Sequence, residues 1–239
     1  MLIADIYNPP LLNGLSAEEI IFSSGMRPLY EEIRRMIFDT ELIISPRITV
    51  KKGKDTTGAP GLAAGMNEAF KIALQSAKWA PFAAPGGAAH NLIDWHKQID
   101  PVVRYAPRSG IGIEIQFGNN YQFNEDIKRL SEAFFSGAIV AGISIVASDS
   151  LAKHKADRGA SFSDAKSKLE RHYQTMYAAR AQSIPPLMII GIEHNSFTEK
   201  HDGKWSIKPI KFGILDGHQI VIPQGTISGP SRKDQMTLE

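Results

Sequence analysis

The clearest pattern in the chain is the strict alternation of Gly110-Ile-Gly-Ile-Glu-Ile-Gln-Phe-Gly118. Side chains along a β-strand have a period of two, so Ile111, Ile113, Ile115 and Phe117 share one face, and Gly112, Glu114 and Gln116 share the other. The next stretch changes period. Ile127, Leu130, Ala133 and Phe134 recur at helical spacing and predict a helix over 124–135, with Gly137 as its stop. Residues 138–147 are then almost wholly apolar, as a strand covered on both faces would be. A helix with a basic face, carrying Lys166, Lys168, Arg171 and His172, is predicted from a Ser163 cap to about Ala179, and Pro185-Pro186 leads into a buried strand over 187–192.

Upstream, Ser16-Ala-Glu-Glu19 has the form of a capping box, and Ile20, Ile21, Leu29, Ile33 and Ile37 predict helices broken near Gly25 and Pro28. Another helix is predicted over 62–79, with Met66, Phe70, Ala73, Leu74 and Ala77 on its apolar face and Pro81, Pro85, Gly86 and Gly87 ending it. Strands and helices alternate through the middle of the chain, which predicts an α/β fold with a mixed central sheet. A single domain over 1–239 is expected, with an N-terminal helical part (about 1–45) and a C-terminal strand and loop extension (about 194–239).

Composition narrows the chemistry. With no cysteine, the chain has no disulfide, zinc-thiolate site, iron-sulfur cluster or thiol nucleophile, so a metal would be held by oxygen or histidine. His90, His96, His194 and His201 lack helical metal-binding spacing and stand in no recognisable Ser-His-Asp set, and no phosphate-cradling P-loop is present. No stretch is long and apolar enough to span a membrane, and the start of the chain does not read as a secretory signal, so a cytoplasmic protein with no membrane partner is expected. A net charge of +2 neither demands nor excludes a polyanionic partner. The densest basic segment reads as a loop carrying Arg47, Lys51, Lys52 and Lys54, either a solvated surface or a phosphate contact.

The polar face of the alternating strand holds the candidate chemistry. Glu114 and Gln116 share it, and Asp100 in Ile99-Asp-Pro101 precedes them; two carboxylates on neighbouring strands beside a third polar group suit magnesium. Equally, Glu114 and Gln116 read as the solvated side of an amphipathic strand, and Asp100-Pro101 as a turn.

Ile113-Glu-Ile-Gln-Phe-Gly-Asn119, the helix behind it, Val140-Ala-Gly-Ile-Ser-Ile-Val-Ala147 and Pro186-Leu-Met-Ile-Ile-Gly-Ile192 together resemble the core of the BglII and BstYI restriction endonucleases. The likeness extends back through Asn67-Glu-Ala-Phe70 to about residue 60. That family is a branch of the PD-(D/E)xK nucleases with glutamine in place of the usual lysine. The resemblance implies a restriction-endonuclease-like mixed sheet flanked by helices, and Mg2+-dependent, sequence-specific cleavage of double-stranded DNA by a homodimer at a palindromic site. It also implies that Asp100 and Glu114 bind the metal with the carbonyl of Ile115, while Gln116 orients the attacking water.

Asp94, in Leu92-Ile-Asp-Trp-His96, is the rival first ligand; Asp100 is preferred because the shorter connection suits adjacent strands. The family's first aspartate usually lies closer to the glutamate than either. Glu68 reads as a supporting carboxylate or an exposed helix charge. DNA contacts are expected from Arg47, Lys51, Lys52, Lys54, Asn119 and Asn120, with the tail over 228–232 as a further candidate. A structure-selective nuclease, a catalytically silent DNA-binding protein on the same fold, and a carbohydrate hydrolase using Asp100 and Glu114 are the competing readings.

Overall fold

The computed structural model describes residues 1–11, 14–40, 45–51, 54–61, 63–83, 92–99, 110–118, 122–154, 160–181, 183–193, 197–199, 205–207, 213–215 and 218–220. In chain order the elements are β1 (Leu2–Tyr7), α1 (Ala17–Ser23), α2 (Arg27–Asp39), β2 (Ser45–Lys51), β3 (Lys54–Gly61), α3 (Ala63–Ser76), β4 (Ala80–Ala83), β5 (Leu92–Gln98) and β6 (Gly110–Gln116). They continue with α4 (Phe123–Phe135), β7 (Ala141–Ala147), α5 (Asp149–His154), α6 (Phe162–Ala178) and β8 (Leu187–Glu193), then the short strands β9 (Phe197–Glu199), β10 (Trp205–Ile207), β11 (Gly213–Leu215) and β12 (His218–Ile220).

Six strands form the central sheet in the order β1-β8-β7-β6-β5-β4. β6, β7 and β8 run parallel, and β1, β5 and β4 are antiparallel to their neighbours. Parallel strands require crossovers, which α4 supplies between β6 and β7 and α5 with α6 between β7 and β8. The sheet is mixed and carries helices on both faces. All seven residues of β6 and of β7 are buried, as strands covered on both sides must be.

Two cores follow. Ile111, Ile113, Ile115 and Phe117 pack with Ile21, Tyr30, Ile33, Phe70 and Leu74 from α1, α2 and α3. On the other side Val146 and Ile189 of the sheet meet Ile127, Leu130 and Phe134 of α4 and Leu169 and Tyr173 of α6. A Cβ added at Gly112 would lie 3.0 Å from Leu130 and one at Gly142 2.7 Å from Leu187, so both glycines let neighbouring side chains close on the strands.

The capping box forms as expected, with Ser16 N donating to Glu19 Oε2 at 2.7 Å. Gly25, with φ +76°, turns the chain between α1 and α2, and Gly137, with φ +81°, ends α4. Three local expectations need correction. α6 is capped by Ser161, two residues earlier than expected, because Ser161 Oγ accepts from Asp164 N while Ser163 is engaged by Asp149. The segment carrying Arg47, Lys51 and Lys54 is a hairpin rather than a loop: the β-branched run Ile48-Thr-Val50 pairs with Asp55-Thr-Thr57, and Lys51 stands opposite Lys54. The first residues, read as part of a helical region, form edge strand β1 against β8 before the two expected helices begin.

Candidate active site

The register of β5 against β6 creates the site. Trp95 pairs with Ile113, and continuing that register would set Ile93 opposite Ile115. Instead the ladder ends, and the Ile115 N–H donates to Asp94 Oδ2 at 3.0 Å. A side-chain carboxylate thus takes the position that a backbone acceptor would hold, and this fixes Asp94 beside the polar face of β6.

Glu114 and Gln116 project from that face toward α4 and are buried, Glu114 with 1% of its surface exposed and Gln116 with 7%. The reading of these two residues as a solvated strand face is therefore excluded. Buried charge needs compensation, and α4 supplies it. Arg129 grips Glu114 with both prongs of its guanidinium, Nε to Oε1 at 2.8 Å and Nη2 to Oε2 at 3.0 Å. Its Nη2 also donates to Asp126 Oδ1, and the other Asp126 oxygen accepts from Gln116 Nε2 at 3.1 Å. Gln116 Oε1 accepts from Gly118 N at 3.2 Å, which fixes which end of the amide is which.

The electrostatics follow this geometry. Burial pushes the Glu114 carboxyl up to about 9; hydrogen bonding from Arg129 opposes the shift, and the charges of Asp94 and Asp126 add to it. Burial likewise raises Asp126 to about 6 against the pull of Arg129 and Gln116, with Asp94 adding to the rise. The hydrogen bond to Glu114, reinforced by the three carboxylates around it, holds Arg129 above the usual arginine range. Lys168 of α6 reaches the same field: burial lowers its pKa, while the charges of Asp164 and Asp126 act in the opposite direction.

Glu114, Ile115 and Gln116 therefore stand together, with Asp94 beside them. Asp100, Asn119, Asn120 and Lys52 lie outside the described residues, and for Arg47, Lys51 and Lys54 only the strand positions are described. Asp126 and Arg129 were not singled out from sequence. Their signal was the i, i+3 spacing of opposite charges on the face of α4 one position away from the Ile127 and Leu130 stripe.

His96, expected in a surface or polar pocket, is half-buried on the Phe82 ring, with Nε2 3.3 Å from the Ala138 carbonyl; burial lowers its pKa and this contact opposes the shift. Among the described residues, no group of three or more His, Asp or Glu side chains is arranged to hold a metal ion. The carboxylate oxygens of Asp94 and Glu114 are of the donor type that hard divalent cations take.

No helix among the described residues is long and apolar enough to cross a membrane. Compared with curated proteins, the chain has no significant match. The sequence profile of the family described as restriction endonuclease BglII/BglIII matches residues 13–192, about three quarters of the chain, including α1 to α6 and all six strands of the central sheet except β1 and the last residue of β8. Restriction endonucleases of this family are DNA-binding hydrolases that cleave at specific sequences and generally use a divalent metal. With its mixed sheet and the polar face of β6 set against α4, the chain belongs to the BglII/BglIII restriction endonuclease family.

Proposed function

We propose that this protein is a cytoplasmic type II endonuclease that cuts double-stranded DNA at a palindromic site as a homodimer, using Mg2+ held by Asp94, Glu114 and the carbonyl of Ile115. The observation that carries the assignment of Asp94 is its bond to Ile115 N at the point where β5 leaves β6. The N–H and C=O of one strand residue point to the same side, so the Ile115 carbonyl faces the gap that Asp94 enters. Asp94 is taken as the first carboxylate on that bond to Ile115, with Asp100, which lies outside the described residues, as the alternative.

In the reaction a water oxygen bonds to phosphorus, the bond to the leaving sugar oxygen breaks, the water proton passes to solvent or phosphate, and the leaving oxygen takes a proton from solvent. Held by Asp94, Glu114 and the Ile115 carbonyl, Mg2+ would supply a more acidic water and neutralise charge on the phosphate. Asp94 and Glu114 present oxygens on one side of the sheet. Gln116 is neutral and cannot take the proton, so its role is orientation of the nucleophile, with Asp126 holding its amide. The hairpin carrying Arg47, Lys51 and Lys54, together with Lys52, Asn119 and Asn120, supplies DNA contacts, and two-fold symmetry gives each half-site the same set.

The test is incubation with mixed-sequence DNA in Mg2+ or EDTA, followed by sequencing of the ends. Discrete Mg2+-dependent fragments sharing one palindromic motif are expected. A featureless digest would replace this reading with a structure-selective nuclease. A second reading, a catalytically silent DNA-binding protein, is favoured by the closed ion pair on Glu114; it predicts DNA binding with no cleavage under any divalent cation.

A further inference from the structure

Arg129 makes more of the site than charge balance requires. A cation placed anywhere near Glu114 would offset its burial, but the guanidinium meets both carboxylate oxygens in parallel, at 2.8 and 3.0 Å. This two-pronged arrangement fixes the plane of the carboxylate as well as its position. The guanidinium is itself fixed, since Asp126 one helical turn earlier takes its Nη2. Asp126 ties the same clasp to Gln116. One side chain of α4 thus sets the plane of the Glu114 carboxylate, and another, Asp126, holds the Gln116 amide.

We infer that Arg129 is a positioning residue for the cation site, acting through Glu114 by locking the orientation of its carboxylate before the metal arrives. This rests on the proposed role of Glu114 as a metal ligand. Partners that orient metal ligands in this way change affinity by roughly 10- to 100-fold when removed. An arginine fork and a lysine point charge are not equivalent at such a site, which separates orientation from charge.

The test uses the full chain without DNA, titrated with Mn2+ as a probe for an oxygen-ligand site, with free ion followed by electron paramagnetic resonance. Arg129→Met is expected to weaken Mn2+ binding about 10- to 100-fold. Arg129→Lys, which keeps the charge and loses the fork, is expected to remain well below wild type. Binding to duplex DNA in EDTA and the far-ultraviolet circular dichroism spectrum are expected to stay near wild type in both. Equal or tighter Mn2+ binding by Arg129→Met would overturn the inference, and full restoration by Arg129→Lys would reduce Arg129 to a counter-charge and overturn it as well. If Arg129→Met does not fold, Arg129→Lys carries the test alone. A wild-type protein that binds no Mn2+, with or without DNA, would remove the metal-ligand reading of Glu114 and this inference with it; wild-type binding left unchanged in the variants would remove this inference only.

Discussion

The two faces of β6 are built from the same seven residues and are equally buried, yet they do opposite things. One face, Ile111, Ile113 and Ile115 with Phe117 just beyond the strand, packs into an apolar core under α1, α2 and α3, where Phe117 stacks on Phe70 at 5.8 Å between ring centres. The other buries Glu114 and Gln116 against α4, where three carboxylates and an arginine stand in one field. Apolar burial is favourable and tolerant of small change, whereas a buried carboxylate is costly unless each oxygen is satisfied. A strand that keeps such a face covered has polar residues fitted to one another, and buried carboxylates of this kind are the candidates for its chemistry.

The largest break in this comparison comes from the polar side. Glu114→Gln is expected to lower the cleavage rate by at least about 1,000-fold, roughly 4 kcal/mol in barrier height, while DNA binding in EDTA persists. Single-turnover kinetics on a mapped site measure this. On the apolar side Phe117→Ala is expected to cost about 3–5 kcal/mol of stability by leaving a cavity beside Phe70, read from denaturant unfolding.

A smaller effect tests the charge on the polar face. Burial raises the Glu114 pKa although the Arg129 fork opposes it, so proton uptake at Glu114 competes with that ion pair and is favoured in the folded chain relative to the unfolded one. The stability linked to that proton is complete below the ordinary carboxylate value of about 4.3 and is lost as pH rises through the folded value of about 9. Without divalent cation, unfolding midpoints should decline across that window. The stabilisation gained from Mg2+ should grow over the same range, because the cation takes the place of the proton. A midpoint that rises with pH in EDTA and is indifferent to Glu114→Gln would show that Glu114 is not held protonated. Smallest of all, Ile113→Val should cost about 1 kcal/mol of stability and leave the cleavage rate within about twofold.

Much of this contrast was legible in the sequence, because alternation within β6 and the helical stripe of α4 are local patterns. Both apolar strands and the capping box are local in the same sense. The partners across the polar face were not legible. Asp126 and Arg129 look like ordinary exposed helix charges until α4 is laid over β6, and only the crossover to β7 decides that. The edge position of β1 depends on pairing with β8, nearly the whole described chain away, and its polar positions Asp5 and Tyr7 give it no strong period. Ser161 and Ser163 are both competent caps, and only the bond from Ser163 to Asp149 separates them. Between Asp94 and Asp100 the sequence favoured Asp100, on likeness to the family's motif and on connection length; the fold adds only that the β5–β6 ladder ends where Asp94 reaches Ile115, and Asp100 lies outside the described residues.

That choice is also the most direct test of the account. Cleavage of a mapped DNA site in Mg2+ should be measured under single-turnover conditions for wild type, Asp94→Asn and Asp100→Asn, with DNA affinity in EDTA as the control. Asp94→Asn is expected to bind DNA and fail to cut, while Asp100→Asn is expected to cut within a few-fold of wild type. Normal cutting by Asp94→Asn, or loss confined to Asp100→Asn, would contradict the assignment of Asp94.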